Sequence, residues 1–143
     1  MNTNKELQLV TFEQAKRLKK LGFDWDCFYA YRLEDNEFGK AETLIVYMGD
    51  GKLSNDAKAP RVALALKWFR DEKKTVAHVS FHEEFSKVDG KYHCHYKGMM
   101  QKYNGNDSYK TPTSSKDFYT YEAAESALLD KLLTLLEKEN NNQ

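Results

Sequence analysis

Little cysteine, no long apolar run and no excess of either charge bound what this chain can be. Its two cysteines, Cys27 and Cys94, stand far apart and in no CxxC or metal-ligand spacing. A secreted domain of this size tends to use several bridges, so both are expected as buried thiols in a reducing cytosol. Met1 is followed by the polar run Asn2-Thr3-Asn4-Lys5-Glu6 instead of a signal-peptide apolar core, and no stretch approaches a membrane span. The expectation is a soluble, cytoplasmic protein with no membrane partner. The 22 Lys and Arg side chains balance 22 Asp and Glu, so no global field recruits nucleic acid, anionic lipid or acidic substrate, and any such binding must be local.

Catalytic signatures are also missing. Gly49-Asp50-Gly51-Lys52-Leu53-Ser54 has Val46 and Leu53 where a phosphate-binding loop needs Gly and Ser or Thr, and reads as a turn. Asp50, Asn55 and Asp56 lack calcium-loop spacing and its terminal Glu. No serine sits in a nucleophile elbow, and neither Cys27 nor Cys94 comes with a local signature that argues for an activated thiolate. Nothing in these motifs supports an enzyme, and a non-enzymatic role is expected.

What is present is a mixed pattern of helices and strands in a chain of 143 residues, the size of one ordinary domain. A first helix starts at Thr11, with Gln14 at capping-box spacing, carries Ala15, Leu18 and Leu21 on one stripe, and ends at Gly22, with Phe23 placed to pack back on Leu18. Asp26–Arg32 and Thr43–Met48 read as strands, the second central in its sheet, with loops at 34–40 and 49–58. Pro60 opens a second helix bearing Val62, Ala65, Leu66 and Phe69, widened by Leu64 and Trp68. Thr75–Phe81 and Lys91–Lys97 form a strand pair about an Asp89-Gly90 turn, and a leucine-rich helix begins near Thr120. The expected fold is a single α+β domain over 11–138, in the order αββαββα. Three helices cover a mainly antiparallel four-stranded sheet, between a flexible segment 1–10 and a tail 139–143. Residues 101–117, polar throughout, are expected as one long loop.

Thr11-Phe12-Glu13-Gln14-Ala15 with Leu21-Gly22-Phe23, Ala59-Pro60 leading to Lys67-Trp68-Phe69-Arg70, and Thr120-Tyr121-Glu122-Ala123-Ala124 together resemble a group of small proteins from Bacteroides-type bacteria and their phages. These landmarks are helix caps and core positions. The resemblance implies no activity and transfers no functional residue, but it implies an accessory role in a phage or mobile element over a metabolic one.

Three candidate sites follow. The surplus of apolar and aromatic side chains points to a protein partner or a homo-oligomer, with Arg61, Lys67 and Trp68 at the interface. Alternation along Thr75–Lys97 places Ala77, Val79, Phe81, Phe85, Tyr92, Cys94 and Tyr96 on an inner face and the histidines outside. On that outer face Lys91, His93, His95 and Lys97, extended by Tyr103 and Tyr109, suit single-stranded nucleic acid. With a two-residue turn at Asp89-Gly90, His82, Glu84, His93 and His95 also share a face at about 5 Å spacing. That set suits zinc or a similar transition metal, although no cofactor is otherwise implied.

Overall fold

The computed structural model describes residues 8–36, 39–46, 56–104, 107–112 and 118–141. Among them the chain is α+β, in the order α1 (Phe12–Lys20), β1 (Tyr29–Asn36), β2 (Gly39–Val46), β3 (Asp56–Lys58), α2 (Val62–Lys73), β4 (Thr75–Ser86), β5 (Lys91–Asn104), β6 (Asp107–Pro112) and α3 (Tyr121–Asn141). The strands form two antiparallel sheets, β2-β1-β3 and β4-β5-β6. This corrects the single four-stranded sheet: each hairpin completes its own sheet with a short third strand, because β3 pairs with the free edge of β1. The central strand of the first sheet is therefore β1, and β2, expected at the centre, is an edge. Two compact units result, Met1–Ala65 with Leu136–Gln143, and Leu66–Leu135.

In the first unit, α1 forms as its sequence dictates. The Gln14 N–H donates to Thr11 Oγ1 at 3.2 Å and the Thr11 N–H donates to Gln14 Oε1 at 2.9 Å, closing the capping box. Such a cap is worth about 1 kcal/mol. At the other end Gly22 takes φ +94°. The Phe23 N–H then reaches Leu18 O and the Gly22 N–H reaches Lys19 O, the two bonds of a Schellman motif. Ala15, Leu18, Leu21 and Phe23 are buried, together with Leu9, Val10, Ala30, Tyr31, Ala57 and Val62. The Tyr31 hydroxyl satisfies itself on Val10 O at 2.8 Å. Residues 8–10, expected to be flexible, are held: Leu9 bridges Arg61, and Val10 N–H and Gln8 O bond to Pro60 O and Val62 N–H. Pro60 accordingly sits two residues ahead of α2 and not at its first position. The loops expected at 34–40 and 49–58 are replaced in part by strand: Asn36 lies in register with Gly39, and Asp56–Lys58 is β3. Tyr47 and Met48 fall outside the described residues.

In the second unit the long hairpin β4–β5 is the dominant sheet element, and α3 buries Ala124, Leu128, Leu129, Leu132 and Leu133. Burying each leucine stabilises by about 2 kcal/mol before entropy is counted. Thr120 caps α3, accepting the Ala123 N–H at Oγ1. The helix runs to Asn141, past the point where the tail was expected to begin. The segment expected as a loop is also largely ordered into strands. Gln101–Asn104 completes β5 and Asp107–Pro112 is β6, with Asn104 in register with Asp107, while 113–117 lies outside the described residues.

Candidate functional site

The β4–β5 hairpin lies within the second unit and carries most of the sequence-based candidates on its two faces. Its turn is longer than expected. The Gly90 N–H bonds to Ser86 O at 2.9 Å, Gly90 adopts φ +70°, and the loop spans 87–90 between the paired Ser86 and Lys91. Compared with a two-residue turn, every pairing moves by two residues: His82 opposes His95, Glu84 opposes His93 and Phe81 opposes Tyr96. A shift of two preserves which residues share a face, whereas a shift of one would have exchanged the faces.

On the polar face His82, Glu84, His93 and His95 do not gather into one group. His82 and His95 stack with ring planes 10° apart and centroids 5.6 Å apart. His93 turns to the loop, its Nε2 2.7 Å from Asp89 Oδ2. Glu84 Oε1 stands 3.8 Å from His95 Nε2 and 4.0 Å from Lys97 Nζ. Among the described residues no three His, Cys, Asp or Glu side chains form a group able to hold a metal ion. Asp89 is held below the usual carboxylate range, first by the Lys91 N–H and then by His93.

His95 is only 5% exposed, closing its ring to bases. Lys91 and His93 remain exposed, and Lys97 is half-buried. Tyr103 in β5 and Tyr109 in β6 lie in register with Ser108 and Lys102.

The opposite face reverses the expectation that it is the inner one. Ala77 and Val79 are half-covered, but Phe81 is 57% exposed, Phe85 53% and Tyr92 67%. These rings form cross-strand pairs: Phe81 meets Tyr96 at 5.2 Å and Phe85 meets Tyr92 at 5.1 Å between centroids. Tyr96 continues onto Tyr121 of α3, edge-on at 6.0 Å. Exposed Glu83 and Cys94 oppose each other between the two ring pairs, and Val88 projects fully from the loop. Aromatic cross-strand pairs stabilise a hairpin by up to about 1 kcal/mol each, yet rings left this open retain most of their apolar surface for another contact. The alternation located this face correctly. It could not show that cover on it stops near Phe81.

The interface residues chosen from sequence separate. Trp68 is 2% exposed, edge-on to Phe69 at 5.1 Å with the Lys73 ammonium 5.2 Å from its centroid, so it is a core residue and not a contact surface. Arg61 and Lys67 are exposed, the latter 2.6 Å from Asp71. The Cys27 thiol is pushed up by burial and donates to Tyr29 O at 3.3 Å, which favours the unreactive protonated form.

One titratable group is tied to the aromatic face. Glu125 is buried on α3, and burial raises its carboxyl above the ordinary 4.5, partly offset by a hydrogen bond from Tyr121. A raised folded value means stability is greatest below the unfolded value and falls as pH rises through the folded one. Glu125→Gln is therefore expected to raise the melting temperature at pH 7, with the gain shrinking as the pH falls toward the ordinary carboxylate range. Thermal melts of both proteins across that range check it.

Comparison of the chain with protein-family models, curated proteins and solved structures gave no match. Among the described residues no helix is long and apolar enough to cross a membrane.

Proposed function

We propose that this chain is a protein-association module whose contact surface is the aromatic face of the β4–β5 hairpin. The observation that carries this reading is the ladder Phe85–Tyr92 and Phe81–Tyr96, built as two ring pairs and left open to solvent. Exposed contiguous apolar surface marks a contact site, and aromatic residues are enriched at the centre of such sites because they bury large area at low entropic cost. A stack of open rings also suits unpaired bases. Here Glu83 stands between the ring pairs, and Lys91 and His93 belong to the other face, so the charge is wrong for a phosphate backbone.

The test is photo-crosslinking in cells, with p-benzoylphenylalanine placed at Phe85 or Tyr92 and, as control, at the exposed Glu72 of α2. Protein adducts are expected at the two ladder positions and not at position 72. Equal, background-level labelling at all three would overturn the reading.

A further inference from the structure

The two edges of the β4-β5-β6 sheet are built differently. β6 is a six-residue edge strand that includes Lys110 and Pro112, both of which discourage another strand from adding. The other edge, β4, is twelve residues long and contains neither lysine nor proline, and among the described residues β5 is its only strand partner. An unguarded edge of that length is a template for strand addition.

The direction of its backbone groups follows from the far side of β5. Tyr96 exchanges both hydrogen bonds with Phe118, N–H to O at 2.8 Å and O to N–H at 3.1 Å, so its backbone polar groups point away from β4. Phe81, opposite Tyr96, is then in a non-hydrogen-bonded pair, and its own N–H and C=O face outward at the free edge. The same holds at every second residue: Ala77, Val79, Glu83 and Phe85. A strand adding here must align with this set, which permits a second β4 to pair antiparallel about a two-fold axis.

Charge selects among the permitted registers. With Phe81 opposite its own copy, Val79 opposes Glu83 and Ala77 opposes Phe85 in the hydrogen-bonded positions, while His78 opposes Glu84 twice in the closer non-hydrogen-bonded positions. Moving the axis to Ser80 sets His78 against His82. Moving it to His82 sets that histidine against itself and leaves Glu84 opposite serine. We infer that the β4 edge beside this face takes a second copy of the chain, joined β4 to β4 across a two-fold axis at Phe81, so that Phe81 meets its own copy and the two aromatic ladders lie side by side on one six-stranded sheet. This rests on the association reading above and names its partner. The interface is isologous, so it closes at two copies.

Two variants test it in the intact chain. Val79→Pro removes an outward N–H and leaves the β4–β5 ladder untouched, as proline at an edge allows. The wild type is expected to sediment at twice the mass of the 16.7 kDa chain and Val79→Pro at the single mass with an unchanged circular dichroism spectrum. In a Cys27→Ser, Cys94→Ser background, Phe81→Cys oxidised with diamide is expected to give a covalent dimer, since paired Cα atoms are about 5.5 Å apart, and Phe85→Cys is not. A monomeric wild type at every concentration, or a dimer that Phe81→Cys fails to trap, overturns the inference. If photo-adducts at Phe85 and Tyr92 then join a different protein, the association reading survives without the second copy. If there are none, both fall.

Discussion

Replacing Arg32 by alanine is expected to cost more than replacing Asp56, although the two form one ion pair. Arg32 on β1 lies in register with Asp56, the first residue of β3, and the guanidinium meets the carboxylate with two bonds, Nε to Oδ1 at 3.0 Å and a terminal nitrogen to Oδ2 at 3.2 Å. The Asp56 side chain is 3% exposed and the Arg32 side chain 34%. Without Asp56 the arginine still reaches water, whereas without Arg32 the carboxylate is left charged and nearly dry. Breaking a buried pair costs about 3–5 kcal/mol when the remaining charge stays buried, so Arg32→Ala should lose about 3 kcal/mol and Asp56→Ala about 2. The double variant should lose less than the sum, by about 1–2 kcal/mol of coupling. Urea unfolding of the four proteins measures this, and equal losses in the two single variants would contradict the asymmetry. Against a total stability of about 5–15 kcal/mol the effect is large. It also pins β3, which has only three residues of pairing to hold it and whose Asp56 carbonyl additionally accepts from Lys19 Nζ.

Trp68→Ala is the second large effect, and it separates core from surface. Removing a buried tryptophan costs about 3–5 kcal/mol through lost contacts and the cavity left behind. The loss includes the edge-on contact with Phe69 and the cation–π contact with Lys73. An interface tryptophan would behave in the opposite way, with stability nearly unchanged and association lost. Denaturant midpoints for Trp68→Ala and the milder Trp68→Phe, read together with sedimentation, distinguish the two. Trp25 stays in place as a fluorescence reporter in the other unit. A midpoint for Trp68→Ala within error of the wild type would contradict the buried assignment.

What the sequence made legible was local. Both ends of α1 could be read because capping-box and Schellman bonds join residues three to five apart, and Thr120 repeats the start. The division of the β4–β5 hairpin into an aromatic and a histidine face survived an incorrect turn because the error in register was even. The pairing of β3 with β1 was not legible, because Asp56-Ala57-Lys58 has no alternation to announce a strand and its partner is some twenty-five positions away. Nor was β6, although the dipeptide Gly105-Asn106 between two polar runs carries turn chemistry, which is the signal that was available. Burial was least legible at the site itself. Period-2 patterning says which residues lie together, not which face is covered, so the rings assigned to a core are open and His95, assigned to solvent, is buried.

The assignment of Leu136–Gln143 to the first unit has a consequence for the order of events during synthesis. Arg17 of α1 donates from Nε to Glu137 Oε1 at 2.7 Å, and a second guanidinium nitrogen meets the same oxygen. A ribosome that has made β1, β2 and β3 must still translate residues 66–135 before Glu137 exists. At about 5–20 residues per second that is a wait of roughly 4–14 seconds, and exit-tunnel passage adds to it. The amino-terminal unit thus emerges first but is completed last, and during that interval the guanidinium of Arg17 has no Glu137 to meet.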